Sequence, residues 1–146
     1  MHRHGYTGRK LSKDTDQRRA LIRGLVTSLV LYESITTTEA KAKEISPYFD
    51  KMVTAAKAGT LAGNRKLQSF LLTDKAVAKM QSEIALTFAT RSGGYTRIIK
   101  LQNRLGDNSP MAQISLVDKI VTVPKDEPKP KKAVAKQKPE KEAVNA

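Results

Sequence analysis

"GGYTRIIKLQNRLGDNSPMAQISLVDKIV", residues 93–121, decides the fold of this chain. The runs "YTRIIKLQN" and "MAQISLVDKIV" carry β-branched and aromatic residues in the density of strands, and they flank "RLGDNSP", whose length and Gly, Asp, Asn and Pro content suit a turn. Together they predict an antiparallel hairpin. Alternation along the first strand places Arg97 on one pleat face with Tyr95 and Ile99, and Lys100 and Arg104 on the other with Ile98. Gly93 and Gly94 admit two readings. One of them caps the preceding helix in the left-handed conformation, or the pair lets backbone N–H groups approach a phosphate with no side chain in the way.

Upstream of the glycines the apolar period changes from two to about 3.6. "SKDTDQRRALIRGLVTSLVLYES" opens with Ser12, Asp14 and Asp16 as candidate caps, continues with Leu21, Ile22, Leu25, Val26 and Leu29 on one face, and keeps Arg18, Arg19 and Arg23 off it. Gly24 inside this helix costs about 1 kcal/mol against alanine, which suggests that another backbone comes close there. "SITTT", residues 34–38, fits a brief strand or an extended link. A second helix begins at Thr38 and Glu39, buries Ile45, Phe49, Met52, Val53 and Ala56, and stops at Gly59. Pro47 should kink or split it, because proline donates no backbone hydrogen bond. "GNRKLQSFLLT" and "TDKAVAKMQSEIALTFATR" give two shorter helices, the latter capped at Thr73–Asp74 and buried along Val77, Met80, Ile84 and Phe88. About four helices followed by a hairpin make an α+β domain. Its predicted extent is residues 14–123.

The flanks differ in composition. Residues 1–13 are basic and glycine-bearing without periodicity, an arm that can follow an irregular groove. Residues 124–146 hold four of the six prolines, seven lysines, four acids and no aromatic, too little apolar surface to offset ordering entropy, which predicts a disordered tail.

Charge bounds the function. Across 146 residues, 27 Lys+Arg stand against 14 Asp+Glu, a net charge of +13. Without the tail, residues 1–123 still carry 20 bases against 10 acids, so the excess belongs to the globular part. Such self-repulsion is relieved by a polyanion, nucleic acid before an anionic membrane surface. Arg3, Arg9, Lys10, Lys13, Arg18, Arg19 and Arg23 run from the arm into the first helix, and Tyr6 offers a ring for an exposed base.

Catalytic and metal chemistry find little support. There is no cysteine, and the two histidines, His2 and His4, sit on the arm without a third partner. No nucleophile-elbow or Walker motif is present. No apolar run approaches the roughly 18 residues of a membrane span, and the start lacks a secretion signal's hydrophobic stretch. The expectation is a cytoplasmic protein, not an enzyme, with no cofactor, no metal and no small-molecule substrate.

Four segments, "GRKL", "RRALIRGLVTSLVLYESITTTEAKAKE", "RSGGYTRI" and "LGDNSPMAQISLVD", resemble the bacterial large-subunit ribosomal protein family numbered seventeen. The likeness spans roughly residues 1–119 in order and spacing. It implies a non-catalytic constituent of the large ribosomal subunit, bound to large-subunit (23S) ribosomal RNA and neighbouring ribosomal proteins near the outer rim of the peptide exit tunnel. It implies that "SITTT" joins the hairpin as a third strand. The RNA-facing positions carried over are Arg3, His4, Arg9, Lys10, Arg18, Arg19, Arg23, Lys41, Lys43, Arg91, Tyr95, Arg97 and Lys100, to which the charge run adds Lys13 and the glycine pair adds Gly93 and Gly94. The alternative on charge alone is a free basic nucleic-acid-binding protein of the nucleoid or RNA-chaperone type.

Overall fold

The structure is a computed structural model that describes residues 8–118 and 120. The expected α+β architecture is present: helices packed on a small antiparallel sheet. Helix α1 spans Thr15–Tyr32, strand β1 Ser34–Thr38, helix α2 Glu39–Lys57 and helix α3 Leu61–Phe70. The fourth helix starts as α4, Asp74–Lys79, passes through a π-helical turn at Met80–Ile84 and ends as α5, Ala85–Thr87. Strands β2, Thr96–Lys100, and β3, Met111–Leu116, form the hairpin.

"SITTT" does join the sheet, whose order is β1-β3-β2. The pairing puts Ile35 opposite Ile114, and Ile114 opposite Ile98, so one isoleucine row crosses all three strands. That row packs on the helices, where Ile114, Ala112, Phe49, Val53, Leu29, Val26, Met80, Ile84 and Phe88 are buried. The core is mainly aliphatic, with Tyr95, Phe49 and Phe88 as its largest fully buried side chains.

Local chemistry explains most element boundaries. Thr60 and Thr73 accept hydrogen bonds from the backbone N–H of Gly63 and Ala76, 3.1 and 3.4 Å away, and so start α3 and α4. Asp14 occupies the N-cap position of α1, but neither it nor Ser12 caps with its side chain. Leu11 and Ser12 instead take left-handed conformations, φ 55° and 51°, in a turn closed by the Lys13 N–H on the Lys10 carbonyl. At the start of α2 the Glu39 N–H donates to the Pro110 carbonyl (2.9 Å), so the hairpin itself satisfies an end that the Thr38 side chain leaves open.

Two expectations are corrected. Helix α2 runs unsplit through Pro47, which lies on its exposed side, where the Lys43 carbonyl that proline leaves without a donor can be hydrated. Gly93 and Gly94 do not cap the last helix. It ends at Thr87, with Phe88 at the C-cap, and the glycines sit in the loop leading to β2. Gly94 is left-handed there, φ +63°. Phe88, buried in the core, leaves helical geometry at φ −95° and ψ 16°, so the helix stops before the glycines are reached.

Candidate nucleic-acid interface

The basic residues singled out from the sequence fall into three places. The first surrounds Glu39, in the opening turn of α2. Lys43 of the same helix lies 2.6 Å from its carboxylate, and Lys100, at the end of β2, lies 3.5 Å away. The hydrogen bond from Lys43, joined by the charge of Lys100, holds the Glu39 carboxyl below its ordinary range. Arg9 shares this recess with Glu39, Ala40, Lys43 and Pro110. Its backbone N–H donates to Oε2 of the buried Glu44 (3.1 Å), which pins the end of the arm to α2. The arm, a helix and the hairpin, far apart in sequence, thus converge on two carboxylates of α2, the arm on Glu44 and the hairpin on Glu39. Lys10 and Lys13 are exposed beside it on the chain, and Lys41 is half-buried on α2.

The second place is the N-terminal half of α1. Arg19 is exposed and only loosely paired with Asp16, at 3.9 Å. Arg18 donates from Nη1 to the Lys13 carbonyl at 3.2 Å. Arg23 does more than ride outside the apolar face. Its Nε and Nη2 donate to the carbonyls of Phe70 and Ser69, at 2.8 and 2.9 Å, and so satisfy the C-terminal end of α3. A cation at that end also suits the helix dipole.

The third place is the loop before β2. Arg91 pairs with Asp118 at 3.4 Å and donates to the Gly94 carbonyl at 3.3 Å. Gly93 and Gly94 are exposed, as is Arg97 on the outer face of the sheet. Lys100 and Ile98 share the opposite face, as alternation predicts. Tyr95 departs from expectation. It is 1 % exposed, packs against Phe88 with ring centroids 5.1 Å apart, and donates its hydroxyl to the Arg91 carbonyl. Its ring belongs to the core and is closed to a nucleic-acid base. Lys57, with Nζ 5.6 Å from the ring centroid, covers its outer side.

Arg3, His4 and the arm tyrosine Tyr6 lie outside the described residues. Among the described residues no group of three or more His, Asp or Glu side chains is placed to hold a metal ion, and no helix is long and apolar enough to cross a membrane.

Sequence reading missed Tyr48, Lys51 and Phe70. Tyr48 and Phe70 lie near-parallel, centroids 6.2 Å apart and planes 15° off, with Lys51 5.7 Å from the Tyr48 ring. The only signal was "PYFDK", in which helical geometry turns Tyr48 about 100° away from the core-facing Phe49.

Comparison with known proteins decides the family. The model of the family described as ribosomal protein L17 matches residues 21–117. The chain belongs to the ribosomal protein L17 family. Its relatives there include the large ribosomal subunit protein bL17 of Geobacter metallireducens, 45% identical over 131 residues that cover 90% of this chain and 74% of the relative. The protein of the same name from Caldanaerobacter subterraneus subsp. tengcongensis is 48% identical over 109 residues, covering 75% of this chain and 97% of the relative. That from Desulfotalea psychrophila is 47% identical over 121 residues, covering 83% and 94%. The L17 family match runs from within α1 to the end of β3 and so takes in Arg23, Lys41, Lys43, Arg91, Arg97 and Lys100, while Arg9, Lys10, Lys13, Arg18 and Arg19 precede it.

Proposed function

We propose that this chain is a non-catalytic structural constituent of the large ribosomal subunit. It binds 23S rRNA near the outer rim of the peptide exit tunnel and meets neighbouring ribosomal proteins there. The observation that carries the reading is family membership, supported by cations of the arm, α1, α2 and the hairpin presented in three places on a mainly aliphatic globule. Arg9, Lys10, Lys13, Arg18, Arg19, Lys41, Lys43, Arg97 and Lys100 are its phosphate contacts, with Arg3 and His4 of the arm beside them. Arg91 and the exposed Gly93–Gly94 backbone form a second contact. Arg23 acts mainly by holding α1 to α3, and Tyr95 by filling the core.

Phosphate neutralisation gives affinity that falls with salt and is blind to base sequence. Salt alone therefore does not separate a ribosomal constituent from a free nucleoid or RNA-chaperone protein. Sedimentation of a lysate at moderate salt does. The expected result is a chain that pellets with large subunits and is nearly absent from the soluble pool. Cosedimentation with DNA after ribosome removal would overturn the proposal.

A further inference from the structure

A recess of about 430 Å³ opens between α1, α2 and α3, walled by Arg18, Arg19, Ile22 and Arg23 of the first, Tyr48 of the second and Phe70 of the third. Its volume lies within the roughly 300–1,000 Å³ usual for sites that enclose a small molecule or a comparable group. The wall is divided by chemistry. Ile22 is buried, and the two near-parallel rings give flat apolar surface. The three guanidinium groups supply positive charge, and Lys51 above Tyr48 adds to it.

The groups are also held in place. Arg23 is fixed by its bonds to the Phe70 and Ser69 carbonyls, which commit Nε and Nη2 and set the plane of its guanidinium. The Lys13 carbonyl orients Arg18. The carboxylate paired with Arg19 is that of Asp16, 95% exposed and 3.9 Å away, a contact that costs little to exchange for another anion.

The occupant must be flat and apolar on its faces and negatively charged at its margins. A bare phosphate would leave both rings unused. An apolar segment of a protein would bury arginines without counter-charge, which is costly. A nucleotide satisfies both halves, its base on the aromatic faces and its phosphates on the guanidinium groups. We propose that this recess receives a single unpaired nucleotide of the rRNA, its base against Tyr48 and Phe70 and its flanking phosphates on Arg18 and Arg19. The inference rests on the rRNA-binding reading above and adds a base-stacking site to it.

The test uses the full chain and deproteinised 23S rRNA, with affinity measured against salt concentration and base reactivity probed chemically along the bound RNA. Tyr48→Leu combined with Phe70→Leu keeps apolar bulk and removes the flat faces. The expected result is about 10- to 100-fold weaker binding, the range that stacking of one base supports. The slope of affinity against salt should stay unchanged, because no phosphate contact is lost. One base protected by the wild-type chain should become reactive again while the other protections persist. Because both rings also touch the core, Thr15→Gln, at the exposed mouth of the recess, serves as a second variant that narrows the entrance without disturbing packing. It should expose the same base. Wild-type affinity and an unchanged protection pattern in both variants would overturn the nucleotide site. A wild-type chain with no preference for 23S rRNA over duplex DNA would instead remove the reading beneath it, before any variant is compared.

Discussion

Tyr95 and Asp107 illustrate opposite fates of polar side chains on the hairpin. Tyr95 spends its ring on Phe88 and its hydroxyl on the Arg91 carbonyl. Tyr95→Ala should therefore destabilise the domain by about 3–5 kcal/mol, the cost of truncating a buried aromatic. Tyr95→Phe should cost about 1 kcal/mol or less and leave rRNA affinity at the wild-type value, read by urea unfolding and filter binding. Asp107 sits at the solvated tip. Hydrogen bonds from Arg104, then from the Ser109 hydroxyl and N–H, hold its carboxyl well below the usual carboxylate range. Its contribution to the turn is present above the ordinary value of about 3.9 and is lost as pH falls through the depressed value. NMR titration should find Asp107 ionised well below pH 3.9, and Asp107→Asn should speed amide exchange at Ser109 at neutral pH. An ordinary titration midpoint would show that the Arg104 fork does not persist in solution.

Two glycines within helices make contrasting demands at the scale of elements. A Cβ on Gly63 would stand 2.5 Å from the Ala55 carbonyl oxygen, so α3 can approach α2 only because that position has no side chain. Gly63→Ala should push the helices apart and cost roughly 1–3 kcal/mol in thermal or urea unfolding. Gly24 has open space around the corresponding position, which no protein backbone enters. Gly24→Ala should accordingly raise the stability of the isolated protein by about 0.5–1 kcal/mol. If it also weakens rRNA binding, the close approach expected from the sequence is by RNA. The end of α1 shows how elements lean on each other. Glu33 turns the chain in the left-handed region, φ 64°, and Lys79 from α4 bonds both the Leu31 carbonyl and the Glu33 carboxylate. Lys79 thereby satisfies a carbonyl that α1 itself cannot, a task that its place in "DKAVAK" did not announce.

Over the whole molecule, charge and fold can be separated by experiment. Arg18→Glu with Arg19→Glu should leave the unfolding midpoint nearly unchanged, since neither side chain is in the buried core. It should lower incorporation into large subunits and reduce the salt slope of rRNA binding by about one per lost phosphate contact. Incorporation at the wild-type level would show that this face of α1 does not meet RNA. Deleting residues 124–146 should leave incorporation intact, because residues 1–123 keep 20 bases against 10 acids.

The sequence by itself determined the α+β class, the hairpin and much of the apolar faces of α1, α2 and the fourth helix, while it left SITTT open between a strand and an extended link, with only the family resemblance placing it in the sheet. Those features rest on periods of 2 and 3.6 residues, which are local, and at Thr73 on capping chemistry as well. It also announced a polyanion through net charge, which is indifferent to where the charges lie. Only the tertiary structure decided which cations share a surface. Lys43 meets Glu39 at the local i,i+4 spacing. Lys100 reaches it only because β2 and β3 return the chain to the start of α2, a contact across more than 60 residues that no local signal encodes, and Arg9 lines the same recess. The same holds for the burial of Tyr95, the clasp of Arg23 on α3 and the Tyr48–Phe70 recess. Each depends on packing between elements, where side-chain direction is set by partners distant along the chain.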